Sequence, residues 1–130
     1  MKLKNLQSLL FVSILGMISI LIPVFILDDL RTYDSPLFPM IRTGIEGISL
    51  YSLLFLISSG LIIKSFSDLS SWKIGLASMA LFPLAAICEI IYEPTSHNLF
   101  PLEFIFYAIY SLPALLGAYL SEFITNKLLK

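Results

Sequence analysis

The sequence predicts an all-α integral membrane protein, a bundle of four transmembrane helices with both termini in the cytoplasm. Of the 130 residues, 58% are apolar and only 13% are charged, and the mean hydropathy is +0.92, whereas soluble domains contain about 25% charged residues. The apolar residues also fall into four runs, each near the roughly 20 residues that carry a helix across the hydrocarbon core. These runs cover about residues 6–27, 40–63, 72–91 and 101–125 of a single membrane domain, residues 1–130.

Helices are the expected form of these runs. Backbone groups in hydrocarbon must be satisfied within the chain, so only α-helices or a closed β-barrel can span a membrane. The runs are continuously apolar and lack the strict alternation of barrel strands, which favours helices. The first run is longer than the apolar region of a signal peptide and is not followed by an A-x-A cleavage pattern. We therefore expect it to be the first membrane helix.

Basic residues indicate the orientation. Six of the eight lysines and arginines fall at the N-terminus, the second loop and the C-terminus, and the positive-inside rule places these segments in the cytoplasm. The opposite side is acidic and contains the only histidine, His97. The six basic residues are Lys2, Lys4, Lys64, Lys73, Lys127 and Lys130. The acidic residues of the opposite side are Asp28, Asp29, Asp34, Glu46, Glu89, Glu93 and Glu103.

Small residues form a stripe on the first and the fourth helix. Such stripes let neighbouring backbones approach closely, which is how helices associate in lipid. We expect four residues of these stripes, together with Gly117 beside the second one, to be packing contacts; the four are Gly16, Ser111, Ala114 and Ala118. The complete stripes are Ser13, Gly16 and Ser19 on the first helix, and Ala108, Ser111, Ala114, Ala118 and Ser121 on the fourth.

Three prolines and one cysteine lie within the predicted helices. Pro23, Pro83 and Pro113 are expected to kink the first, third and fourth helices, because a proline removes a backbone donor and collides with the preceding turn. Cys88 is the only cysteine, so an intramolecular disulfide is excluded. No basic residue lies near it in sequence, and we expect Cys88 to be a small buried hydrophobic residue.

Ionisable residues near the acidic side form the candidate site. Arg42 and Glu46 lie four residues apart and can pair on one helix face, and Glu46 is expected roughly 9 Å along its helix. The segment EPTSHNLFPLE follows the third helix, and Glu103 suits the positive end of the fourth helix dipole. Whether that segment is functional or only a loop and helix cap stays open. The candidate binding residues are Arg42, Glu46, Glu89, Glu93, His97 and Glu103.

Three interpretations of this group remain open. Loop, cap and ion-pair roles at the membrane surface are the simplest. A divalent metal is the second, because imidazole and carboxylates are its usual ligands, with Glu46, Glu89, Glu93 and His97 as the set. A proton, lipid or small-ligand site is the third, because ionisable residues within membrane segments are functional by default.

Mid-membrane polar residues can also line a quinone, pigment or lipid pocket, namely Tyr51, Ser52, Tyr107, Tyr110 and Ser111.

Several function classes are excluded or disfavoured. The net charge of −1 lacks the basic excess that nucleic acid requires. There is no Walker loop, dinucleotide fingerprint or G-x-S-x-G motif, so no cofactor is indicated and an enzyme is disfavoured. The sequence favours an accessory or binding subunit, packed against other membrane chains or itself, in a bacterial inner or plasma membrane. A metal- or proton-coupled enzyme or transporter and a lipid-, quinone- or pigment-binding bundle are the alternatives.

Overall fold

The computed structural model describes residues 4–27, 37–97 and 100–128, and these residues form helices joined by short connections, without a strand among them. Three helical spans within these ranges are long and apolar enough to cross a membrane: Asn5–Ile26, Ser71–Tyr92 and Pro101–Lys127. The predicted all-helical class and the membrane character are thus supported. The helices are α1 (Asn5–Ile26), α2 (Pro39–Glu46), α3 (Leu50–Phe66), α4 (Ser71–Ser78), α5 (Leu81–Tyr92), α6 (Phe100–Tyr110) and α7 (Leu112–Leu128).

The expectation of one continuous helix over residues 40–63 is wrong, because α2 ends at Glu46 and α3 begins at Leu50. Glycine is a poor helix former, and Gly47 is the C-cap residue that directly follows α2. Ser49 then starts a new helix, since its hydroxyl accepts a hydrogen bond from the Ser52 backbone N–H at 3.3 Å. A serine in this role satisfies one of the unpaired donors of a helix N-terminus.

The third and fourth predicted helices are also interrupted, ahead of their prolines. Pro83 has no N–H for the Met79 carbonyl, and its ring collides with that carbonyl in a regular helix. The Met79 carbonyl instead accepts from the Phe82 N–H at 3.2 Å, and residues 79–80 form a turn between α4 and α5. A second turn, at Ser111, separates α6 from α7 just before Pro113. By contrast, α1 remains helical through Pro23.

Two pairs of helices make the closest backbone contacts. A Cβ atom added to Gly60 would lie 1.9 Å from the Ala114 carbonyl oxygen, and one added to Gly117 would lie 1.9 Å from that of Ile57. On the other pair, a Cβ atom on Gly16 would lie 1.7 Å from the Ser78 carbonyl oxygen. Only glycine therefore fits at these three positions, where α3 packs on α7 and α1 packs on α4.

The direction of α3 relative to α7 follows from successive contacts. From Gly60 against Ala114, the α3 and α7 contact continues to a 3.0 Å hydrogen bond between the hydroxyls of Ser65 and Ser121. Residue numbers rise together along both helices, so α3 and α7 run in the same direction. A ring of four results, in which α1 and α7 each pack on both α3 and α4.

The predicted small-residue stripes lie at these internal contacts. Gly16, Ser111, Ala114, Gly117 and Ala118 are all buried within the chain. Two expectations need correction. Ala108 is exposed, because the turn at Ser111 separates its helix from the helix that carries the rest of the stripe. Cys88 is exposed rather than buried, because it lies on the outward face of α5.

Polar contacts join α3, α4 and α7 at the end of the bundle that contains the connection between α3 and α4. The Lys64 ammonium lies 3.5 Å from the Glu122 carboxylate and donates to the Leu69 carbonyl at 2.8 Å. The Ser71 hydroxyl donates to the same Glu122 oxygen at 2.7 Å. We call this the Lys64 end of the bundle, and the opposite end, which contains residues 93–97, the His97 end.

We predict that Gly60→Ala destabilises the fold more than Gly44→Ala. At Gly60 the new methyl group would meet a backbone oxygen, whereas at Gly44 the nearest atoms, at 2.9 and 3.0 Å, belong to the side chains of Ile20 and Leu21, which can move. Overpacking of this kind costs about 1–3 kcal/mol. Thermal unfolding in mild detergent measures the difference, and an equal loss in both variants would contradict the close contact between α3 and α7.

Candidate functional site

A cavity of about 340 Å³ lies between α2, α5 and α6 at the His97 end. All three helices are separated by a turn or break from the segment that packs in the ring of four, so this part of the chain is assembled less tightly. Some of the side chains that line the cavity are ionisable, and the others are apolar or aromatic. Its polar lining is Arg42, Glu46, Glu89, His97, Glu103, Tyr107 and Tyr110, and its apolar lining is Phe38, Ile41, Ile45, Phe82, Ala85, Ala86, Leu102 and Phe106.

His97 connects two helices at the edge of this cavity. Its Nε2 atom lies 2.5 Å from Oε2 of Glu89 on α5, and its Nδ1 atom lies 2.6 Å from Oε2 of Glu103 on α6. Both ring nitrogens are therefore engaged by carboxylates. We call this arrangement the histidine bridge, consisting of Glu89, His97 and Glu103.

Local sequence explains how the bridge is assembled. Pro94 follows α5 and favours a turn, and the Ser96 hydroxyl donates to the Glu93 carbonyl at 2.7 Å within that turn. The chain therefore reverses directly after α5 and brings His97 back beside Glu89. Glu103 lies in the first turn of α6, where the helix dipole stabilises a carboxylate.

Glu89 is the most buried member of the bridge, since its side chain is only 7% exposed. A buried carboxylate is costly unless its oxygens are hydrogen-bonded. The second oxygen of Glu89 accepts from the backbone N–H of Phe38 at 2.7 Å. Because Phe38 is the N-cap residue directly before α2, Glu89 joins the start of α2 to the bridge between α5 and α6.

The two carboxylates keep His97 protonated to a higher pH than usual. Burial alone would lower the pKa of the imidazole, but hydrogen bonds and charge interactions with Glu89 and Glu103 together outweigh burial and raise that pKa above 6.5. Only the imidazolium form has a donor on both nitrogens. A carboxylate at each ring nitrogen is therefore an arrangement in which a protonated ring can donate to both.

Arg42 and Glu46 form the predicted ion pair, with Nε of the arginine 3.1 Å from Oε1 of the glutamate. Their side chains are 47% and 39% exposed, and exposed pairs of this kind contribute little stability. Both residues line the cavity beside α5 and α6. Their position suits recognition of a polar group rather than fold stabilisation.

Aromatic rings form the deeper wall of the cavity. Tyr107 is buried, and its ring centroid lies 5.9 Å from that of Phe82 and 5.9 Å from that of Phe104. Tyr110 lines the same wall. Two members of the predicted mid-membrane pocket are thus in this cavity, while Tyr51 is 58% exposed on the outside of the bundle.

The other two members of that predicted pocket have local hydrogen-bond roles. The hydroxyl of Ser52 lies 3.3 Å from the Ser49 hydroxyl at the start of α3. Ser111 donates to the Ala108 carbonyl at 2.6 Å. Neither residue lines the cavity, so the five residues predicted to line one mid-membrane pocket are not brought together.

Five of the six predicted binding residues line the cavity, and Glu93 is the exception. Glu93 is the C-cap residue that follows α5 and is exposed, with the Thr95 hydroxyl donating to its carboxylate at 3.4 Å. Sequence reasoning missed Phe38 and could not tell that His97 joins two carboxylates. Among the acidic residues expected on this side, Asp28, Asp29 and Asp34 lie outside the described residues.

The metal interpretation finds no support in the described geometry. Within residues 4–27, 37–97 and 100–128, no group of three histidine, cysteine, aspartate or glutamate side chains is arranged to hold a metal ion. Glu89 and Glu103 bind opposite nitrogens of one imidazole ring. The ring therefore separates the two carboxylates instead of joining them around a common ligand.

Comparison with known protein families, with curated proteins and with solved structures finds no match for this chain.

We predict that Glu89→Gln and Glu103→Gln each lower the pKa of His97, because each removes a carboxylate that stabilises the imidazolium. His97 is the only histidine in the chain, so an isotope-labelled sample gives one imidazole signal to titrate by NMR. Glu93→Gln is the matched control and should leave the titration unchanged. A wild-type midpoint below 6.5 would contradict the bridge.

The sign of the accompanying stability change follows from the raised pKa. Protonated His97 stabilises the folded protein at pH values below 6.5, and this stabilisation is lost as the pH rises through the raised pKa. We expect thermal unfolding in detergent to show this loss in the wild type. The loss should be smaller in Glu89→Gln, and equal pH dependence in both proteins would be the contrary result.

Proposed function

We propose that this protein spans the membrane four times and binds a lipid-like amphiphile in the cavity between α2, α5 and α6. The observation that carries the proposal is the lining of this cavity, which combines ionisable groups with aromatic and aliphatic side chains. Ligand sites are mostly apolar clefts of about 300–1,000 Å³ with a few polar groups that fix orientation. An amphiphile matches both parts of this lining.

The position of the cavity favours a ligand that enters from the bilayer. Large apolar side chains are exposed along the outside of the helices, including Ile105 and Phe106 on α6, and such surfaces mark contact with a membrane. Phe106 also lines the cavity. We infer that the acyl or prenyl tail of the ligand lies against Phe82, Phe106 and Tyr107, with its polar head beside the histidine bridge.

The fourth span consists of α2 and α3 together. Alone, α3 has 17 residues and at 1.5 Å per residue reaches about 25 Å, short of the roughly 30 Å hydrocarbon core. With α2 it covers residues 39–66, which is sufficient. The parallel direction of α3 and α7 supports alternating spans, with the Lys64 end and both termini in the cytoplasm. A bacterial inner or plasma membrane suits this arrangement.

A role as an accessory subunit has less support. The small-residue stripes that favour lateral association are occupied within the chain, where Gly16 contacts Ser78 and Gly117 contacts Ile57. Association with another membrane chain therefore stays a prediction. The described residues offer no separate small-residue surface for it. A monodisperse monomer after purification in mild detergent is the result expected from the binding role alone.

We predict that Ala85→Phe abolishes labelling of the cavity by a phospholipid that carries a photoactivatable diazirine in its acyl chain. Ala85 lines the cavity, and a phenyl ring there would occupy the space that the tail needs. Reconstitution in nanodiscs, irradiation and peptide mass spectrometry locate the cross-links. In the wild type we expect them on Phe106 and its neighbours in the cavity wall.

Ala108→Phe is the matched control, because Ala108 is exposed on α6 and does not line the cavity. It should label as the wild type does. Cross-links spread evenly over the exposed faces of all helices, with no loss in Ala85→Phe, would show that the cavity holds no lipid and would overturn the proposal.

A further inference from the structure

The helices that carry the histidine bridge are attached to the rest of the bundle through turns. The turn at residues 79–80 separates α5 from α4, and the turn at Ser111 separates α6 from α7. The bridge joins α5 to α6 at the far end from these turns. A change in the bridge is therefore in a position to alter the distance between the two helices and the width of the cavity.

We propose that protonated His97 holds the cavity closed and that loss of this proton releases α6 and opens it. This inference rests on the proposed function, since it assigns the regulation of the same cavity. The opening would occur at the end of the cavity at which the polar head of the ligand would lie.

Loss of one proton from His97 removes a hydrogen bond that no other group of the histidine bridge can replace. Neutral imidazole has one N–H and one lone pair, so one nitrogen then presents a lone pair to a carboxylate. The donor of that hydrogen bond disappears, and the remaining charges of Glu89 and Glu103 repel each other. Opening lets water solvate the released carboxylate.

Burial decides which carboxylate is released. The Glu103 side chain is 29% exposed, whereas that of Glu89 is 7% exposed and also accepts from the Phe38 N–H. Transfer of Glu103 to water is therefore easier, and its helix, α6, is the one that moves about Ser111. The neutral ring keeps its remaining proton on Nε2, toward Glu89.

Other charged and titratable groups also surround the bridge. Arg42 and Glu46 line the cavity from α2 and pair with each other. Glu93 lies on the same turn as His97 but is exposed, and Tyr107 lines the cavity below the bridge. Burial lowers the pKa of His97, but hydrogen bonds and charge interactions with Glu89 and Glu103 outweigh burial and raise that pKa above its usual value.

The experiment measures helix separation directly. Cys88 on α5 is the only cysteine and is exposed, so it takes a spin label, and Ile105→Cys on the outside of α6 supplies the second site. We expect the distance between the two labels in nanodiscs to increase by more than about 2 Å, the scale of a hinge rearrangement, between mildly acidic and alkaline pH. A constant distance would overturn the proposal.

Three further samples identify the cause. Cys88 paired with Leu116→Cys on α7 should give a distance that does not change with pH, because α6 alone moves. His97→Gln should give the longer α5 to α6 distance at both pH values, and the same pH response as the wild type would overturn the role of His97. Glu103→Gln keeps an acceptor but removes a charge, and should shift the opening to lower pH.

The lipid cross-linking experiment separates this inference from the proposed function. A pH-dependent distance in a protein whose cavity takes no lipid probe would support the regulation and contradict lipid binding. Specific cross-linking of the cavity with a constant distance would support lipid binding and contradict the regulation.

Discussion

Close backbone contact between α3 and α7 is the constraint on which the rest of the structure depends. Gly60 and Gly117 each place a carbonyl of the opposite helix where a side chain would otherwise lie. In lipid, apolar side chains gain little by meeting each other, so packing at short range and hydrogen bonds between helices must hold a bundle together. The contact between Gly16 and Ser78 plays the same part for α1 and α4. These contacts fix the Lys64 end of the bundle.

The opposite end is organised by interruptions of the helices and by charge. Turns ahead of Pro83 and Pro113, and the break at Gly47, free α5, α6 and α2 from the tightly packed ring. The cavity occupies the space between them. Apolar packing is reduced there, and the histidine bridge connects the helix ends instead. A connection made of ionisable groups has a property that the glycine contacts lack, because its strength depends on pH.

The helical class and most residues of the candidate site could be predicted from the sequence, because apolar runs and residue spacing reflect local structure. The pair of Arg42 and Glu46 follows from a spacing of four residues. The break at Gly47 was missed because the apolar pattern continues across it. The histidine bridge could not be predicted, since it depends on how the turn after Pro94 orients His97 toward two helices. The exposure of Cys88 depends likewise on which face of α5 packs inward.

The most direct test of this account is solid-state NMR of the labelled protein in lipid bilayers at mildly acidic pH. Dipolar recoupling measures the distances from the two His97 ring nitrogens to the carboxyl carbons of Glu89 and Glu103. We expect both nitrogens to be protonated and each to lie within hydrogen-bond range of a different carboxylate. One unprotonated nitrogen, or a carboxylate coupling at only one of the two, would contradict it.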